Sequence, residues 1–95
     1  MKEFLILHRG FEKPTPDEMS KWQRWFDLVS EWMVDKGGLP MGVEFSKDGR
    51  KELPFSKESL TGYTIIKAEN LEQAANIAGE CPFVINTQVY EIRKG

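Results

Sequence analysis

A chain of 95 residues has the length of one domain, and a domain this small buries only about 60–65% of its unfolded surface, so a second subunit would add to a modest core. The net charge of −2, with Lys and Arg scattered among Asp and Glu, leaves no basic footprint for phosphate and argues against direct nucleic-acid binding. Cys81 is the only cysteine, which excludes an internal disulfide and a Cys-rich metal site. No metal and no cofactor is expected.

Phe4 to Leu7 is the longest apolar run, far short of the roughly 20 residues a membrane span needs, and no cleavable signal pattern surrounds it. A cytoplasmic protein without membrane contact is the expectation. Neither repeats nor low-complexity tracts occur, so residues 1–95 read as a single domain.

The first predicted element is a strand, Glu3 to Arg9 (EFLILHR), in which Phe4, Ile6 and His8 point one way and Leu5, Leu7 and Arg9 the other. Both faces are apolar, as in a central strand covered on two sides. Thr15-Pro16-Asp17-Glu18 then reads as a capping box with proline at the first helical position. Met19, Trp22, Phe26, Val29 and Met33 follow at spacings of three and four, which predicts a helix running from Pro16 to a stop at Gly37-Gly38. Trp25 and Trp32 fall at the edge of that stripe, where they would reach a second subunit or a cleft, or else widen the core.

"LPMGVEFS" reads as a second strand, and Asp48-Gly49 as the tight turn of a hairpin whose return strand is stopped by Pro54. Gly62 to Ala68 is the next strand. Asn70 caps a second helix with a small-residue face of Leu71, Ala74, Ala75 and Ala78, which ends at Gly79 and Pro82. Thr87 to Arg93 closes the chain as a strand. The order βαββαβ, with a hairpin extension, predicts an α+β domain: a ferredoxin-like antiparallel sheet with both helices on one face. Its other face would stay wet unless two sheets meet, so a homodimer is the simplest completion.

"MKEFLIL", "PFSKESLTGYTII", "AENLEQAANIAGECP" and "VYEIR", in this order and spacing, resemble the YCII-related family, in particular its DGPF-type branch. Pro54 and Phe55 match the last two letters of the branch's namesake motif, whereas Glu52 and Leu53 stand in place of its Asp-Gly. Gly62, Tyr63, Glu91 and Arg93 match its later strands. The resemblance implies a dimeric α/β barrel, with two sheets enclosing a cleft for an unknown small molecule. It also implies a His-Asp acid–base pair in the wider family, which has no counterpart here: Cys81 precedes Pro82-Phe83, and the first helix holds no histidine.

The remaining candidates come from residue chemistry. His8 is the only side chain whose unperturbed pKa lies near neutrality, so it is the candidate catalytic acid or base in the inter-sheet cleft, the alternative being a histidine that caps the edge of the core with a backbone hydrogen bond. Arg9 offers a planar fork to an anionic ligand. Glu44, Glu52 and Glu91 are candidate carboxylate partners, and Tyr63 and Tyr90 can present a phenol. Trp25 would touch the cleft, and Phe55 would lie over its mouth beside a mobile polar link, Ser56 to Gly62, so that residues 52–61 read as a lid or rim or as a plain connection with an aromatic plug. Cys81, in line with the small face of the second helix, reads as a buried, inert thiol.

Two functional readings follow. One is a homodimer that handles a small molecule by acid–base chemistry. The other is a non-catalytic binding or protein-interaction module, of which a transcription-associated protein is one form, that keeps the barrel without the acid–base pair.

Overall fold

The structure, a computed structural model, describes residues 1–94. Its elements are β1 (Lys2–Arg9), α1 (Pro16–Val29), β2 (Met33–Gly38), β3 (Gly42–Ser46), β4 (Gly49–Leu53), β5 (Leu60–Ala68), α2 (Leu71–Ala78) and β6 (Asn86–Ile92). Four strands form an antiparallel sheet in the order β2-β5-β1-β6, and β3 and β4 form a separate hairpin. This is the ferredoxin-like α+β arrangement expected from the sequence. Among the described residues, no helix is long and apolar enough to cross a membrane.

The start of α1 follows its sequence signal: Thr15 accepts from the Glu18 amide, and Glu18 accepts from the Thr15 amide, so two otherwise orphaned donors are satisfied. Its end does not. The helix stops at Val29, not at Lys36, because Ser30 folds back on Asp27 through both its amide and its hydroxyl. Trp32 then accepts from the Lys67 amide at 2.8 Å, and Met33–Gly38 becomes the strand that pairs with the outer edge of β5. Continuing the helix would have left that edge bare, and the glycine pair lowers the cost of abandoning it. Gly37 also serves the strand directly. A Cβ there would lie 2.7 Å from Tyr63 Cε1, so only glycine lets the tyrosine ring lie across β2.

Because the helix is shorter, the expected stripe is rotated. Trp25 and Val29 are buried, Trp22 and Phe26 are half-buried, and Met19 and Leu28 are exposed. Trp25, expected at an interface, lies in this chain's own core with its indole N–H donating to the Ile77 carbonyl at 3.0 Å. Trp32 packs against the same core. The helical angle that placed it outside has no meaning for a residue beyond the helix end. On α2, Ala74 and Ala78 meet the sheet while Leu71 and Ala75 stay exposed, and Cys81 is buried as expected.

Strand alternation fixes which side the helices take. Phe4, Ile6 and Ile66 are fully buried beneath α1 and α2. The opposite face carries Leu5, Leu7, Tyr63, Ile65, Tyr90 and Ile92, aligned by the pairings Leu5 with Ile65 and Tyr90, Leu7 with Tyr63, and Glu3 with Ile92. No helix among the described residues covers them.

The hairpin is tied by its Asp-Gly turn: Gly49 adopts φ 109°, and the Asp48 amide donates to Ser46 Oγ, which suits a two-residue loop with a glycine bulge. "LPMGVEFS", expected as a strand of the main sheet, thus supplies the first strand of this arm instead, and every residue of β3 and β4 is exposed.

The Trp25 anchor yields a stability prediction. Trp25→Phe keeps an aromatic ring but leaves the Ile77 carbonyl unpaired, and should cost about 1–3 kcal/mol. Urea unfolding followed by far-ultraviolet circular dichroism would measure it; an unchanged midpoint would show that the indole N–H is not an anchor.

Candidate functional site

His8 is a buried ionisable group, only 9% exposed, on the helix-covered side of β1. Its Nε2 lies 3.0 Å from Thr64 Oγ1, and its Nδ1 is buried without a hydrogen-bond partner. Two indoles wall the ring edge-on, Trp22 at 5.2 Å and Trp25 at 5.7 Å between centroids. Phe26 stacks on Trp22 and meets Trp25 edge-on, with the Lys36 ammonium 4.3 Å from its centroid. The imidazole is thus set in an aromatic cage that α1 supplies and the sheet floors.

Burial lowers the His8 pKa from 6.5 to about 4, since an apolar cage with no carboxylate partner disfavours the imidazolium. The ring is neutral throughout the physiological range. If Nε2–H donates to Thr64, the lone pair of Nδ1 is available to accept a proton.

The same face carries a second polar pair. Thr87 stands opposite His8 on β6, and its hydroxyl lies 3.3 Å from Cys81 Sγ. Burial pushes the Cys81 thiol above its ordinary pKa, partly opposed by the Thr87 hydroxyl, so the sulfur is a protonated, weakly nucleophilic group. Trp25 and Cys81 also line a surface groove of about 500 Å³ with Lys21, Arg24, Pro82 and Phe83. A second groove, about 340 Å³, runs between α2 and β6 past Thr87 and Asn86.

The sheet divides the residues expected to act together. His8 and Trp25 are on the helix side, whereas Arg9 and Tyr63 belong to the open side, so the expected grouping of His8 with both in one inter-sheet cleft is not formed within the chain. Tyr63 donates to Asp35 Oδ2 at 3.0 Å. That hydrogen bond, with some desolvation and the carboxylate's charge, raises the phenol pKa. Arg9 is held by its own loop, donating to the Glu58 carbonyl at 2.9 Å. Glu91 pairs with Lys2 at 3.4 Å and faces Phe4 across the ladder. Four residues of strand, about 13 Å, separate that position from the level of His8. Glu44 and Glu52 are on the hairpin, where Glu52 pairs with Arg50 at 3.1 Å.

Phe55 meets Phe11 edge-on at 4.9 Å, at the end of the sheet where β1 leaves it. The loop around it is cross-tied: Ser59 Oγ receives the Ser56 amide and donates to the Pro54 carbonyl, and Gly10 and Phe11 donate to Ser59 and Lys57 carbonyls. The expected mobile rim is a laced turn packed against the exit of β1.

Thr64, Trp22 and Asp35 are the site residues that sequence reasoning did not single out. Thr64 had a signal, two residues along the ladder from the position opposite His8. Asp35 had none while its segment read as helix.

No protein-family model and no curated protein matches the chain. Among solved structures, it is similar over 98% of its length to 95% of the chain of 5-chloro-2-hydroxyhydroquinone dehydrochlorinase from Burkholderia phenoliruptrix, in complex with 2,5-dihydroxybenzoquinone, at 15% sequence identity and a TM-score of 0.57. The two proteins share the fold over nearly their whole lengths.

The neutral histidine sets the stability of the protein against pH. Unfolded His8 protonates near 6.5 and folded His8 only near 4, so its contribution is complete above pH 6.5 and is lost as pH falls towards 4. It is the only histidine. Denaturant titrations should therefore show up to about 2 kcal/mol of lost stability between pH 7 and pH 5, largely absent in His8→Gln. A flat wild-type profile over that interval would contradict a buried, neutral imidazole.

Proposed function

We propose that this protein is a homodimeric, cytoplasmic relative of the YCII-related family, of the DGPF-type branch, that handles a small planar molecule. His8 is its proton-accepting or hydrogen-bonding group. The observation that carries this reading is the orphaned Nδ1: a buried polar atom without a partner is costly to leave unmade, and here the imidazole is flanked by the Trp22 and Trp25 indoles.

The neutral imidazole and the fold neighbour's ligand support one ligand class together. An imidazole with a pKa of about 4 does not take a proton efficiently from an ordinary phenol. It matches an acid of comparable strength, such as the hydroxyl of a hydroxyquinone, which is a vinylogous carboxylic acid. The similarly folded dehydrochlorinase bound to 2,5-dihydroxybenzoquinone supports the same class. Proton transfer or simple recognition would both begin with this contact.

The absence of a carboxylate on His8 favours the second reading, a binding module without turnover, because nothing holds the imidazolium once it forms. The test takes 2,5-dihydroxybenzoquinone as probe and tryptophan fluorescence as readout. Saturable quenching is expected, with at least tenfold weaker binding in His8→Gln. Equal affinity in the two proteins would remove His8 from the site, and binding without conversion of chlorinated hydroxyhydroquinones would select the binding module.

Dimerisation through the open sheet face is tested separately. Leu7 is half-buried on that face and is not part of the helix-side core, so Leu7→Glu should leave the fold intact and yield monomers by sedimentation velocity. A wild-type protein that sediments as a monomer at 100 μM, a concentration chosen for the assay at about the weak limit of a specific pair, would overturn the dimer.

A further inference from the structure

We infer that the β3–β4 hairpin is a dimerisation arm that packs, through its Val43–Phe45 face, on a second copy of this chain. The inference rests on the proposed dimer and names the element that completes it. The arm carries large apolar side chains that its own domain leaves in water: Phe45 is 73% exposed and Met41 79%, with Val43 and Leu53 also exposed. An isolated two-stranded hairpin is marginal in water, so an arm of five-residue strands needs a surface to lie on.

The pairing register sorts its two faces. Val43 stands opposite Glu52, and Phe45 opposite Arg50, so one face presents two apolar side chains beside the Arg50–Glu52 ion pair. The other face carries Glu44, Lys51 and Leu53. Across residues 42–53, Lys47, Arg50 and Lys51 balance Glu44, Asp48 and Glu52. A charge-balanced surface meets its own copy without repulsion, as an isologous contact requires, whereas a strongly acidic or basic partner would find no opposite field.

Shape and area point to the same occupant. The protein measures 41 × 40 × 18 Å, with a radius of gyration of 14.4 Å against about 12 Å for a compact domain of this length. An arm about 17 Å long standing off the sheet would add to the about 10 Å between the sheet and its helix layer and exceed the 18 Å thickness, so it extends the slab sideways. Face-to-face contact of two slabs then brings each arm against the other subunit. The open sheet face alone offers about 500 Å² per subunit from its strand lengths and spacing, short of the about 800 Å² per partner of a stable interface. Each arm adds about 170 Å² of its own and covers a similar area on its partner, which brings the total to that value.

The experiment compares wild type, Phe45→Glu, a variant with residues 42–53 replaced by Gly-Gly, and Leu7→Glu by sedimentation and by amide hydrogen exchange. Phe45→Glu and the arm deletion should each raise the dimer dissociation constant at least tenfold, with an unchanged circular dichroism spectrum for Phe45→Glu. Arm amides should be protected in the wild-type dimer and exchange rapidly in the Leu7→Glu monomer. If the arm variants dimerise like wild type while Leu7→Glu does not, the arm inference fails and the sheet-face dimer stands. If wild type is itself monomeric, both fail.

Discussion

A single sheet with two greasy faces, and helices for only one of them, governs this structure. β1 alternates Phe4, Ile6 and His8 against Leu5, Leu7 and Arg9, and because the side-chain period of a strand is two, every neighbour in the ladder inherits the same division. The helix-covered face is filled by Phe4, Ile6 and Ile66 from the sheet and Trp25, Val29, Ala74 and Ala78 from the helices. The other face carries enough Leu, Ile and Tyr to make its exposure costly. The division also assigns the chemistry: the imidazole went in with the core, while the Tyr63–Asp35 pair and Arg9 stayed outside.

Placing the one histidine in the core changes what it can do. In an open cleft it would titrate near neutrality and shuttle protons. Under Trp22 and Trp25 it is held neutral, with one nitrogen committed to Thr64 and the other unpaired. Large aromatic residues serve two purposes in α1, filling the space over the sheet and enclosing the imidazole, and the same side chain cannot be altered for one without disturbing the other. The low dielectric that suppresses the charge also strengthens any hydrogen bond made to the free nitrogen.

Much of the frame was legible. The capping box at Thr15, the Asn70 cap, the Asp-Gly turn and the strands β1, β5 and β6 are local signals with local causes, and the structure follows them. The error at α1 is instructive because its pattern was real: Met19 to Met33 does have helical spacing, yet the last turns were taken by β5, whose free edge could pair only with Met33–Gly38. From that one displacement came the misplacement of Trp25 and Trp32, the unnoticed Asp35, and the assignment of "LPMGVEFS" to the main sheet. The site was less legible than the fold, since His8, Thr64, Trp22 and Trp25 come from three separate segments and only their packing makes them neighbours.

The sequence by itself determined the class of fold and the parity of β1, because caps, turns and alternation act between residues a few positions apart. It determined that Phe4, Ile6 and His8 share one side. Which side the helices would cover was decided by the tertiary structure alone, since both sides of the strand are apolar and periodicity carries no preference between them. The same holds for the end of α1 and for the arm: each depends on whether a distant strand edge or surface is available, and hydrogen bonds between segments thirty residues apart leave no mark on local spacing.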